Sequence, residues 1–259
     1  MRAPPGQIFA PPFPPRLPWV NVATLRMDQQ LGHPLLIEFW DFCRPNSLRT
    51  LPYVRAWHER YRDAGLRVVG VHCPGFAPSR DPDAVRRAVA RLGITHPVLI
   101  DSELVLWKEY GNEGWPARYL WNAEGTLSHY HYGEGAYADT ELAIAELLGL
   151  EVQPLAPLRP EDVPGAALVA QTEDQAGAYS GPYEAGGVWA VLEGRGTLRC
   201  NDHVVTVTDS GAHCLIEHPR HTRGDLVLAV DPSVTCHATC FTPGVAAAPA
   251  ASGASWAAE

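Results

Sequence analysis

Two hydrophobic rhythms alternate along the first half of the chain. Residues 35–40 (LLIEFW) form an almost continuous apolar run broken only by Glu38, the mark of a buried strand. From Leu48 the apolar spacing changes to three or four residues, through Leu51, Val54, Trp57 and Tyr61, which describes one face of a helix. A short turn, residues 41–46, joins the two. Asn46 or Ser47 is expected to cap the helix, and Pro52 to kink it. The pattern repeats downstream. Residues 67–73 (RVVGVHC) read as a second buried strand. Residues 81–92 read as an amphipathic helix with Val85, Ala88, Val89 and Leu92 on one face and Arg86, Arg87 and Arg91 on the other. Pro82 suits its first turn and Gly93 its end. Short strands at 19–25 and 97–100, a helix at 104–110, a strand-turn-strand around Asn122–Gly125 and a closing helix at 139–148 complete an α/β sandwich.

Beyond residue 149 the rhythm is lost. Residues 150–166 hold four prolines and read as a linker. Six short apolar runs then follow between 188 and 241, separated by Gly, Asn-Asp and Asp-Pro turns, which predicts a small antiparallel β domain, sandwich or jelly roll. The expected organisation is a proline-rich arm at 1–18, an α/β domain at 19–149, the linker, a β domain at 167–243 and a disordered tail at 244–259.

Charge narrows the function classes. The 259-residue chain carries a formal net charge of −9 and no basic run, which argues against nucleic-acid or anionic-membrane binding. No apolar stretch is long enough to span a bilayer. Prolines interrupt the N-terminal segment where a signal peptide would need a continuous apolar region, so a cytoplasmic location is expected. The six cysteines are then expected to be thiols, not structural disulfides.

The strand, cysteine-bearing turn and helix, with LRTLPYVRAWHERY followed by GLRVVGVHCPGF, strongly resemble thioredoxin-like domains of the TlpA/ResA and DipZ type over roughly residues 10–149. The resemblance implies a thioredoxin fold, with a protein or peptide thiol or disulfide as partner and no cofactor or metal. It also implies a two-cysteine turn, C-x-x-C, directly before L-R-x-L-P. Aligned on Leu48-Arg49-Thr50-Leu51-Pro52, those cysteines fall at Arg44 and Ser47, so the turn reads Arg44-Pro45-Asn46-Ser47. A hydroxyl cannot close a disulfide, and the two-cysteine cycle is impossible within this turn. A peroxiredoxin reading also fails, since Trp40 stands where a Thr is needed.

Cys43 remains in the turn. Arg44 and Arg49 are expected to lower its pKa and favour a thiolate; packing in a retired site is the alternative. Cys73 ends the neighbouring strand and is expected to face Cys43 across the sheet edge, as a resolving partner or as half of a soft-metal pair with His72 nearby. The resemblance places Trp115-Pro116 at the family's cis-proline, beside the turn and lining a peptide groove. Glu38 is read as a satisfied or edge carboxylate. Cys236 and Cys240, on one regular strand, would share a face about 13 Å apart and could not bind one ion. A metal site gathered from several β-domain strands, using Cys200, Cys214 and the nearby histidines, is a lesser alternative. Three functions stay open: a thiol redox protein with Cys43, Cys73, Arg44, Ser47 and Pro116 at its site; a redox-inactive binding module; and a soft-metal site at Cys43 and Cys73. The oligomeric state is not set by the sequence.

Overall fold

The structure, a computed structural model, describes residues 8–246. Its first sheet contains β1 (Trp19–Val20), β2 (Leu35–Trp40), β3 (Arg67–His72), β4 (Val98–Ile100), β5 (Ala117–Trp121) and β6 (Leu127–Tyr132), in the order β1-β4-β3-β2-β5-β6. Strands β2, β3 and β4 are parallel, and β5 runs antiparallel to β2. The helices α1 (Pro45–Tyr61), α2 (Pro82–Arg91), α3 (Val105–Glu109) and α4 (Tyr137–Leu148) connect or close it. All six residues of β2 are buried, as a central strand covered on both faces requires. Leu35, Ile37 and Phe39 join Val69, Val71 and Cys73 in one core, while Leu36 lies in another with Trp57 of α1 and Ile144 of α4.

The proline-rich arm does not simply lie along the surface. Ala10 N–H donates to the Gly125 carbonyl at 2.9 Å, Phe9 bridges to Thr126, and Phe13 is buried in the sheet's core. Residues 1–7 of that arm lie outside the described residues.

The stretch read as a linker is a strap. Its 158–162 segment is tied down through Tyr53, whose hydroxyl donates to Asp162 at 2.8 Å and accepts from Leu158 N–H at 2.7 Å. Arg159 donates to the Arg49 carbonyl at 2.8 Å, and Leu155 N–H to the buried carboxylate of Glu141 at 2.7 Å. The sequence hid these ties because each strap anchor lies some 100 residues from its partner or on another element.

The β domain comprises β7 (Leu168–Val169), β8 (Gln175–Ala176), β9 (Gly181–Gly194), β10 (Gly196–Cys200), β11 (His203–Val207), β12 (Gly211–Leu226), β13 (Leu228–Val230), β14 (Val234–Thr242) and β15 (Gly244–Val245). A four-stranded sheet, β12-β9-β14-β8, and a three-stranded one, β11-β10-β13, are both antiparallel. Strand β15 pairs with β7, so Gly244 and Val245 are ordered where a disordered tail was expected. The rest of that tail, 247–259, lies outside the described residues. No helix among the described residues is long and apolar enough to cross a membrane.

The four-stranded sheet has two apolar faces. Val188, Ala190 and Leu192 pack with Leu198, Val207 and Leu226 inside the β domain. Val191 and Ala238 face the other way, into a core shared with Trp40, Phe42 and Cys43 of the first domain and Val85, Ala88 and Val89 of α2. The amide of Ala212 donates to the Phe42 carbonyl at 3.0 Å across the same seam. One apolar core therefore runs through both domains at the turn that follows β2.

Candidate functional site

The turn is built around Asp41, a wholly buried residue at the end of β2. One carboxylate oxygen accepts from the Cys43 amide at 2.9 Å and the other from the Gly75 amide at 2.7 Å. His72 Nε2 lies 3.5 Å from the first oxygen. These bonds satisfy backbone donors that the bend would otherwise leave without partners. The helix then starts at Pro45, whose missing N–H costs nothing in a first turn. Arg44 is the N-cap residue and makes no side-chain cap. Neither Asn46 nor Ser47 caps the helix as expected. The Ser47 hydroxyl instead accepts from the Asp41 amide at 3.2 Å in the buried interior. Asp41 was missed in the sequence; an Asp two residues before a turn residue, at a strand end, was its only signal.

Cys43 has no exposed surface and packs with Trp40, Phe42, Val191 and Cys240. Burial pushes its thiol well above the ordinary range, and the neighbouring Asp41 charge adds to that. A hydrogen bond with Ser79 and the charges of Arg44 and Arg91 oppose the shift without reversing it. The expected thiolate is therefore corrected: apolar surroundings outweigh the nearby cations. Arg49 does not help, because it turns away to pair with Glu134 at 2.8 Å.

Cys73 does not face Cys43. It lies in register with the alternate residues Val69 and Val71, in the core on one side of the sheet, whereas Cys43 packs in the core shared with the β domain. Strand alternation sends these side chains to different faces. The Cys73 thiol donates to Asp101 at 3.6 Å, and burial followed by the Asp101 charge raises its pKa well above the ordinary value. Both are free thiols. No resolving pair and no two-cysteine metal site is assembled at the turn.

Arg44 stacks its guanidinium 4.7 Å from the centres of both the Phe76 and Trp115 rings. The Trp115–Pro116 peptide is cis, and the Trp115 indole donates to the Cys73 carbonyl at 2.9 Å. Arg44 and Trp115 form one wall of a cleft of about 470 Å³; Asp174, Cys240 and Pro243 of the β domain form the other.

Glu38 is neither satisfied nor at an edge. It sits in the central strand, wholly buried, in register with Arg118 of β5, and neither of its oxygens has a hydrogen-bond partner among the described residues. Desolvation raises its pKa to about 8, with the Arg118 charge holding the rise back. Desolvation likewise lowers Arg118 to about 10. In the β domain, a bulge between Cys236 and Ala238 breaks the regular strand assumed for the two cysteines. Cys236 joins the β-domain core and Cys240 the shared one. Among the described residues, no group of three or more His, Cys, Asp or Glu side chains is gathered to hold a metal ion.

No family model matches the chain. It is 37% identical over 163 residues to Protein DipZ of Mycobacterium tuberculosis, which covers 60% of this chain and 24% of that protein. It is 33% identical over 116 residues to the thiol-disulfide oxidoreductase YkuV of Bacillus subtilis, across 44% of this chain and 77% of that one. The chain belongs to the thioredoxin-like thiol-disulfide oxidoreductase family. A crystal structure of a thioredoxin-like superfamily protein, 22% identical, superposes with a TM-score of 0.51 over 56% of this chain and 99% of that one, which shows the thioredoxin fold. The chain spans about a quarter of the length of the DipZ proteins it matches. The turn of this chain reads Cys43-Arg44-Pro45-Asn46-Ser47, directly before Leu48-Arg49-Thr50-Leu51-Pro52.

Proposed function

We propose that this family member is a binding module whose turn no longer exchanges disulfides. It engages an extended segment of a protein or peptide in the cleft between Arg44, the Trp115–Pro116 bend and the β domain. The observation that carries this reading is the closure of Cys43: it is wholly buried beneath Val191 and Ala238, and its thiol is raised, not lowered. Thiolate is the attacking species in exchange, so a sealed, protonated thiol has no route to a substrate disulfide. The cis peptide at Pro116 and the open cleft support retention of the family's recognition surface. All six cysteines are free, which supports residence in a reducing compartment.

The test is alkylation by iodoacetamide across pH 6–10, read by mass spectrometry at each cysteine, beside an insulin-disulfide reduction assay. Cys43 and Cys73 should label only after unfolding, and Cys43→Ser should leave the reduction rate at background. Rapid labelling of Cys43 in the folded protein, with reduction lost in Cys43→Ser, would restore the redox reading.

A further inference from the structure

The seam between the two domains opens at its other end into a second cleft, of about 300 Å³, and its lining is cationic. Helix α2 contributes Ala84, Arg87, Ala88 and Arg91. These lie at positions i, i+3, i+4 and i+7 and so form one stripe, with two arginines one turn apart beside two small residues. The β domain contributes Arg195, in the turn between β9 and β10, and the turn at 208–210 between β11 and β12. The two turns are fixed to each other by the Gly194 amide donating to the Ser210 hydroxyl at 3.2 Å. They are fixed to α2 by Arg91 donating to the Ser210 carbonyl at 3.4 Å. Gly211 keeps that contact open: a Cβ there would lie 3.3 Å from the Arg91 guanidinium, on a backbone at φ +145°.

The charges are not neutralised from within. Among the described residues, neither Arg91 nor Arg195 has a carboxylate within ion-pair distance, and Arg87 has only the exposed Asp81 at 3.5 Å. Asp209 also lines the cleft and contributes a negative charge; its carboxylate accepts from the Thr208 hydroxyl at 3.0 Å and, among the described residues, pairs with none of the arginines, so three cations face one anion there. Two arginines one helical turn apart repel each other, and a third faces them across the cleft. In a chain of net charge −9, three cations collected from both domains form a local exception.

We propose that this cleft is a binding site for a small phosphate- or sulfate-type oxyanion, held by the guanidinium groups of Arg87, Arg91 and Arg195. Guanidinium groups present paired N–H donors matched to such an anion, and the three converge on one cleft. The ligand touches both domains at once, so its binding free energy adds to the stability of their union. The site is separate from the Arg44 cleft and does not rest on the function proposed there.

Isothermal titration of the full chain with inorganic phosphate, inorganic pyrophosphate and ADP, at constant ionic strength in chloride, tests this. One saturable site is expected, with a rise in melting temperature. Arg91→Ala and Arg195→Ala should each weaken pyrophosphate binding about tenfold, which is about 1.4 kcal/mol, and Arg195→Lys should recover part of that loss. Equal affinity for pyrophosphate and ADP would assign recognition to the phosphates alone, and tighter ADP would add an organic moiety to the same site. Absence of saturable binding to all three anions, or undiminished binding in a folded Arg195→Ala variant, overturns the proposal. Arg195 lies in an exposed turn, so its variants keep the test sound even where Arg91→Ala fails to fold.

Discussion

Glu38 and His96 make the core's stability depend on pH in opposite directions. The folded state holds the Glu38 proton up to about pH 8, whereas the ordinary value is 4.5. The folded chain therefore binds more protons between those limits, and stability falls as pH rises through them. Its contribution is complete below about pH 4.5 and gone above about pH 8. His96 is 1% exposed, and burial lowers it from 6.5 to about 3. It stays neutral in the fold, so its contribution is complete above pH 6.5 and is lost as pH falls from there towards 3. Glu38→Gln should therefore shrink the drop in unfolding free energy between pH 5 and pH 9 seen in urea titrations. The change is bounded by roughly 1.4 kcal/mol per unit of pKa difference. An unchanged drop would place the proton elsewhere. At this scale the sequence was least legible. Glu38 was visible inside an apolar run, but not that its register neighbour is Arg118, 80 residues away, nor that its oxygens find no hydrogen bond among the described residues. Asp41 carried no periodic signal at all, because its work is done through backbone amides.

Strand β9 shows what an element can do with two apolar faces. Ala190 and Leu192 look into the β domain while Val191 between them looks out onto the turn. Val191→Ala should cost about 2 kcal/mol, from two lost methyl groups and the cavity left behind. The same variant should speed iodoacetamide labelling of Cys43, which shares its cluster. The exposed Val204→Ala is the control and should change stability by less than about 0.5 kcal/mol. Chemical denaturation and mass spectrometry read both. The elements themselves were well marked in the sequence: β2, α1, β3 and α2 all follow from apolar spacing, because each buries a continuous stripe. The bulge at Cys236–Ala238 was not, since one extra residue reverses the facing of every side chain beyond it without altering composition. The same blindness put Cys73 opposite Cys43, where alternation along β3 sends it to the other face.

Across the whole molecule, the shared core predicts that the two domains unfold as one cooperative unit. Calorimetry should show a single unfolding transition, and a chain ended at residue 150 should expose Trp40, Phe42, Leu51 and Val85 and aggregate. Two resolved transitions would show that the seam contributes little. Sequence reading found both domains but not their union, because turn and linker compositions say where a chain changes character and not what packs on what. The strap at 150–166 carries this unity into another setting. A protease that cut one bond there would leave two fragments still gripped by Tyr53, Arg49 and Glu141 and by the common core. Such nicked protein should run as two bands on a denaturing gel and as one species on a sizing column, so that a broken backbone is, for this molecule, no release.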